Sequence, residues 1–265
     1  MPEMPKPRKL RRFFTVQPLQ DSPADLWLEP SETHHLKDSI RLKPGDSCLV
    51  TDGEGREAEA LIHEFSKDGR ARLQIVRISS AKEPENQGIR LRLVLAMLRK
   101  GKTDLLVEKA QELGVFELWP IFSEHCEIKV AEEKAGKMVD RWNRIAHEAS
   151  KQSGALRAIR VAAPRDFKEA ILAVPADEPL VIFHPSRDAI GFPEWIAGLQ
   201  ASKSRPEILT LFIGPEGGFS EAEIDWARWK RKEKNFFLVS LGEVLFKADT
   251  AFIGVVAALS FSGIA

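Results

Sequence analysis

Short apolar runs punctuated by turn residues dominate the first eighty positions. Arg12–Val16, Ser47–Thr51, Ala58–Ile62 and Ala71–Val76 are brief and rich in β-branched or apolar residues. Pro44-Gly45-Asp46, Asp52-Gly53-Glu54-Gly55 and Lys67-Asp68-Gly69 separate them as turns. A short helix starts at Ser31, because Glu32, His34, Leu36 and Ile40 do not alternate as a strand would. Many short strands with close turns predict a small β-barrel. The polar stretch Ser80–Gly88 contains Pro84 and Gly88 and reads as a linker between a domain over residues 1–82 and another over 89–265.

Beyond it the rhythm changes to long apolar strands alternating with helices. Ile89–Met97, Val115–Phe122, Leu180–Phe183, Leu209–Ile213 and Phe236–Val239 read as strands. Helical periodicity covers Thr103–Leu113, closed by Gly114, then Lys137–Ser153 and Ser220–Lys232. Continuous apolar strands are buried on both faces, so a mostly parallel sheet covered by helices is expected. The apolar segment Ala251–Ala265 is shorter than the roughly 20 residues a membrane span needs and reads as a buried helix.

Composition narrows the class. The 265 residues are 43% apolar and 29% charged, which excludes a disordered, collagen-like or coiled-coil chain. Lys and Arg number 39 and so do Asp and Glu, so net charge does not advertise nucleic-acid binding, although a local basic patch is compatible with it. Cys48 and Cys126 are too few for a disulfide framework and lack C-x-x-C spacing, which points to a reducing, cytoplasmic compartment. No apolar h-region follows the basic N-terminal cluster, so neither a secretory signal nor a membrane partner is expected.

The sharpest chemical feature is Ile213-Gly214-Pro215-Glu216-Gly217-Gly218-Phe219-Ser220, where an apolar strand runs into three glycines and Ser220 with Glu223 forms a capping box. Such a turn lets backbone approach a ligand, and equally serves as a tight turn without one. It has neither the Gly-Lys-Ser/Thr of a Walker A loop nor Gly-x-Gly-x-x-Gly, which speaks against a nucleotide-dependent oxidoreductase. A second turn, Ser240-Leu241-Gly242-Glu243, leads to a helix start where Asp249 or Thr250 is a candidate N-cap. Between Lys137 and Arg160 six basic residues face two acidic ones, with Lys137, Arg141, Arg144 and Lys151 on one stripe of the helix whose apolar face holds Trp142, Ile145, Ala146 and Ala149. That stripe suits phosphate contacts or simply solvent. The histidines lack metal-ligand spacing, so no metal is expected; His125 beside Cys126 is a weak nucleophile pair, because sequence neighbours rarely face each other.

Taken together, Lys109–Val115, Pro120–Cys126, Arg141–Gly154, Ile213–Ser220 and Ser240–Gly242 resemble, in order and spacing over nearly the whole chain, the bacterial ribosomal RNA small subunit methyltransferase E family. The resemblance implies an α/β protein with an N-terminal PUA-like RNA-binding β-barrel and a C-terminal SPOUT domain, whose parallel sheet carries a deep trefoil knot. It implies a homodimer that uses S-adenosylmethionine to methylate N3 of a uridine in 16S rRNA of the small ribosomal subunit. The implied cofactor pocket comprises Phe183, His184, Pro185, Ile213, Gly214, Pro215, Glu216, Gly217, Gly218, Leu238, Ser240, Leu241, Gly242 and Leu245. Implied RNA contacts are Arg11, Arg12, Arg141, Arg144, Lys151 and Gln152.

The chain departs from the family pattern at several positions. Val244 and Lys247 stand where the family has arginines, Asp249 where it has a glutamate, and Ala155 and His125 where it has arginines. Lysine keeps the charge but loses the bidentate fork. Candidate catalytic groups are Lys247 and Arg157, to stabilise a uracil anion, and Asp249 and Glu148, to accept the N3 proton. Two other readings are a SPOUT enzyme acting on another RNA position or a ribose 2′-hydroxyl, and a non-catalytic RNA-binding protein.

Overall fold

The computed structural model describes residues 10–19, 25–53, 55–80, 88–99, 101–128, 132–155, 157–202, 204–232 and 235–264. Lys6, Arg8 and Lys9 and most of the proposed linker lie outside them. The chain divides into two compact units, Met1–Glu85 with Ser150–Ala158, and Asn86–Ala149 with Ile159–Ala265.

In the first unit, β1 (Arg12–Phe14), β2 (Leu26–Trp27), β3 (Ser47–Thr51), β4 (Arg56–Phe65) and β5 (Ala71–Ser80) form one sheet in the order β1-β3-β4-β5-β2. Only β1 and β3 pair in parallel. Register shifts at Glu59/Ala60 and Ile62/Glu64 mark bulges, which bend a strand and increase its twist. The sheet is a half-barrel rather than a closed one among the described residues: β1 and β2 remain its edges. α1 (Pro30–His34) runs into a π-helical turn, His35–Ser39, and Leu36 from that turn joins Phe13, Leu28, Val50, Ile62 and Leu73 in the core. Burial pushes the Cys48 thiol up to about 12, so it serves as an inert core side chain.

The second unit is an α/β layer structure. Its elements are β6 (Arg90–Ala96), α2 (Lys102–Glu112), β7 (Glu117–Phe122), α3 (Glu132–Ser153, whose last residues belong to the first unit), β8 (Arg160–Val161), β9 (Arg165–Asp166), α4 (Phe167–Ala173), β10 (Leu180–Phe183), β11 (Ile190–Gly191), α5 (Phe192–Ala201), β12 (Ile208–Ile213), α6 (Glu221–Arg231), β13 (Phe236–Ser240) and α7 (Ala248–Phe261). Strand order is β11-β13-β10-β12-β6-β7-β8, with β9 also on β7, and every described pairing is parallel. The unbroken apolar strands occupy the middle of this sheet, where both faces must be covered. Trp142 and Ala146 of α3 are fully buried, as the apolar stripe requires, and Trp142 Nε1 donates to Asp104 at 3.0 Å.

Candidate functional site

Register brings four strand ends level. Leu95 of β6 pairs with Ile213 of β12, Ile213 with Phe183 of β10, and Phe183 with Val239 of β13. The segments that follow, 97–99, 214–220, 184–189 and 241–247, therefore leave the carboxyl edge of the sheet side by side. Chain direction also reverses here: β6 connects to β7 on one side, whereas β12 connects to β13 on the other. Open parallel sheets bind ligands at such a switch point.

The glycine loop is tightly built. Gly218 donates its N–H to Pro215 O at 2.9 Å and has φ +70°. A Cβ at Gly214 would lie 3.2 Å from the backbone of Gly218 and Phe219, which cannot give way as a flexible side chain would. The loop then enters α6 through a complete capping box: Ser220 Oγ accepts the Glu223 N–H at 3.2 Å, and the Glu223 carboxylate accepts the Ser220 N–H at 2.9 Å. The buried Glu223 also accepts the Glu124 N–H at 3.0 Å, tying in the segment after β7. His125 from that segment places Nδ1 3.1 Å from Gly217 O and 3.2 Å from Gly218 O.

His184 N–H donates to Val239 O, which seats the residue between β10 and β13. Its ring is buried, Nε2 lies 3.5 Å from Glu221 Oε1, and Nδ1 has no partner among the described residues. A buried ring nitrogen without a partner is a hydrogen-bonding position open to a ligand. Phe183 is buried beside it and Pro185 is exposed. On the β13 side Leu238 is buried, Leu241 packs partly on the core, and Ser240 Oγ accepts the Gly242 N–H at 3.2 Å in a turn where Gly242 has φ +108°. Val244, Leu245 and Phe246 protrude into solvent, Leu245 at 80% exposure.

Sequence reasoning missed the residue at the centre. Lys102 opens α2 after β6 and its Nζ lies 3.1 Å from Glu216 Oε1 and 3.3 Å from Asp249 Oδ2, joining the glycine loop to the start of α7. Hydrogen bonding to Glu216 first, and then to Asp249, raises the Lys102 pKa. Burial alone would raise Asp249, but the Thr250 N–H and Lys102 outweigh it and hold the carboxyl below the usual carboxylate range. Two carboxylates share one ammonium, so this cluster carries a net negative charge. Lys247, not Asp249 or Thr250, is the N-cap residue of α7, and its side chain is exposed. Asp249, inside the first turn, accepts the Thr250 N–H at 3.0 Å as well as pairing with Lys102.

The other expected site residues lie elsewhere. Arg157 belongs to the first unit, where its guanidinium fills the space a Cβ at Gly55 would occupy. Arg12 donates to Glu57 at 2.6 Å and to Gly154 O at 2.5 Å, and Lys151 donates to Glu32 at 2.5 Å while lying 5.4 Å from the centre of the Phe14 ring. These two cations therefore also bind that unit together. Arg11 and Gln152 are exposed there. In the second unit Arg141 pairs with Asp104, and Arg144 and Glu148 are exposed on α3. The Cys126 thiol is buried against Met97 O while His125 turns to the glycine loop, so those neighbours do not form a nucleophile pair. Among the described residues no group of three His, Cys, Asp or Glu side chains is placed to hold a metal ion, and no helix is long and apolar enough to cross a membrane.

A family model described as an RNA methyltransferase domain matches residues 84–260, and one described as an RNA methyltransferase PUA domain matches residues 28–69. The ribosomal RNA small subunit methyltransferase E of Bacillus subtilis (strain 168) is 24% identical over 255 residues, spanning 95% of this chain and 96% of the relative. The protein of the same name from Synechocystis sp. is 29% identical over 238 residues, 90% of this chain and 73% of the relative. The crystal structure of a ribosomal RNA small subunit methyltransferase E from Neisseria gonorrhoeae, bound to S-adenosyl methionine, shares the fold with a TM-score of 0.78 at 23% identity, covering 96% of this chain and 98% of that one.

Proposed function

The chain belongs to the RNA methyltransferase family, and from that premise we propose that it uses S-adenosylmethionine to methylate N3 of one uridine in 16S rRNA of the small ribosomal subunit. The names of the full-length relatives support the ribosomal substrate, and the structure of the gonococcal relative with S-adenosyl methionine supports the cofactor. The observation that carries the reading is the meeting of the Phe183–Pro185, Ile213–Gly218 and Leu238–Leu245 segments at one strand edge.

The residues present fit that cofactor. His184 Nδ1 offers an unused hydrogen-bonding position, and the net negative Lys102–Glu216–Asp249 cluster complements a sulfonium cation. When bound, S-adenosylmethionine supplies the methyl group as an electrophile. The chain's task is positioning, which converts an encounter into an effectively unimolecular step. Uridine N3 carries a proton and becomes a nucleophile only when that proton leaves. Lys247 on the exposed cap stabilises the resulting negative charge on the uracil oxygens. Asp249, ionised and held by Lys102, orients the α7 start, and Glu148 is the second carboxylate candidate to accept the N3 proton. Arg11, Arg12, Arg141, Arg144, Lys151 and Gln152 are the RNA contacts of this reading. The 1–82 and 89–265 domain boundaries, the trefoil knot and a cytoplasmic location belong to it too. It also includes a homodimer. α7 leaves Ile253, Gly254 and Phe261 exposed along one stripe, an apolar face that a second copy would cover.

Incubation with S-adenosylmethionine and small subunits lacking the modification, followed by nucleoside mass spectrometry, is expected to yield 3-methyluridine. A 2′-O-methylated nucleoside would move the target to a ribose. Absence of product, on subunits that a known active relative modifies, would leave a binding protein.

A further inference from the structure

We infer that the C-terminal halves of α4 and α6 form a second RNA-docking surface, on which an unpaired base stacks against Trp229 while Lys230 and Lys232 hold its neighbouring phosphates. The inference rests on the RNA methyltransferase reading for the kind of partner, not for the surface itself. Both helices end at the amino edge of the sheet, away from the strand ends that carry the candidate cofactor site. Between them lies a cleft of about 440 Å³ whose apolar floor includes Ile171, Leu172 and Val174 and whose cations are Lys230, Arg231 and Lys232; among the described residues no carboxylate lines it.

Helix α6 is charge-polarised, with Glu221, Glu223 and Asp225 in its first half and Arg228, Lys230 and Arg231 in its second. The helix macrodipole favours that order without any ligand. It does not account for Trp229, whose indole is 70% exposed amid the basic half, nor for Leu172, which stands 54% exposed on α4. One turn back, Lys168 of α4 already lies over the Trp226 ring at 5.4 Å, so this pair of helices sets ammonium groups beside indoles. Arg231 supports the cleft from beneath. It donates to Val174 O at 3.0 Å, Pro175 O at 3.1 Å and Glu178 O at 2.7 Å, and its Nε is buried without a partner among the described residues. Carbonyls satisfy that guanidinium without neutralising it, although Asp177 and Glu178 lie near enough to act on it. An exposed indole in a helix end that carries Lys230 and Lys232 is a platform of the kind that binds single strands without sequence preference. An acidic peptide would meet the same lysines but has no plane to lay on the indole.

The test uses the full chain and a labelled twelve-nucleotide oligouridylate, without cofactor. Trp229→Ala is expected to weaken binding about tenfold, whereas Trp229→Phe, which keeps a stacking ring, stays within about threefold and loses most of the tryptophan quenching that RNA causes in the wild type. Lys230→Glu with Lys232→Glu is expected to weaken binding at least tenfold and to lower the slope of log affinity against log salt by about 1.4, two single-strand phosphate contacts. Affinity for S-adenosylmethionine, measured by calorimetry, stays at the wild-type value in all variants and shows that each folds. Wild-type RNA affinity and salt slope in the alanine and charge-reversed variants overturn the inference and leave the cleft to an acidic protein segment. The binding readout requires no methyl transfer, so a chain that binds RNA through Trp229 but forms no methylated nucleoside sinks the activity alone.

Discussion

Lys102 shows how much one side chain decides at the strand edge. A cation in the first turn of a helix opposes the macrodipole, so nothing in the sequence favours it there. Its reason lies in two residues over one hundred positions away, Glu216 and Asp249. Lys102→Met leaves those carboxylates facing each other and is expected to lower kcat/KM for methyl transfer at least tenfold, about 1.4 kcal/mol of transition-state stabilisation, with the loss read by steady-state kinetics. A pH test follows from the depressed Asp249. A carboxyl whose pKa is lowered on folding contributes stability that is present above its unfolded value and lost as pH falls through the folded one. Wild-type stability is thus expected to fall more steeply below the ordinary carboxylate range than that of Lys102→Met, as followed by thermal unfolding across the acid limb. Unchanged slopes would remove the ion pair as a determinant. Gly214, Gly218 and Gly242 were legible as turn residues from their place after apolar strands, whereas the partners of Lys102 and His125 were not, because they come from distant segments.

At the scale of the element, caps decide boundaries. The Ser220–Glu223 box is readable from spacing and is present in full. Ser220→Ala is expected to cost about 1 kcal/mol in urea unfolding, and Glu223→Ala more, because the buried carboxylate also holds Glu124. Equal stabilities for the two variants would show that the Glu124 contact contributes nothing. Most long strands and helices follow the apolar rhythm within a few residues. α4 and α5 were missed although signals existed: Asp166 precedes α4, with its N–H bonded to Glu169, and Pro193 sits in the first turn of α5. Both helices are short, and their apolar periodicity is too weak over so few turns to stand out. The start of α7 shows the opposite case: the helix begins earlier than its capable cap residues suggest, with Lys247 at the N-cap and Asp249 inside the first turn, where it accepts the Thr250 N–H and pairs with Lys102.

For the whole molecule, the unpartnered stripe on α7 matters most. A second copy covering the apolar positions exposed at Ile253 and Phe261 is the proposed dimer, and light scattering is expected to give the mass of two chains. Ile253→Asp places a charge on that stripe and is expected to give the monomer mass with the fold retained. A wild-type monomer, or an unaltered dimer in the variant, would redirect the interface elsewhere.

The sequence by itself determined that the chain has a strand-rich first part, alternating strands and helices afterwards, a glycine turn leading into a capped helix, and a motif order resembling one family. These are local properties, set by periodicity, turn chemistry and residue spacing. Only the tertiary structure decided that β12 lies between β10 and β6, that four strand ends are level, that Lys102 closes the mouth they form, and that Ser150–Ala158 joins the first unit. Strand order and register depend on pairing between segments far apart in the chain, and parallel neighbours are never joined by a local turn that would announce them.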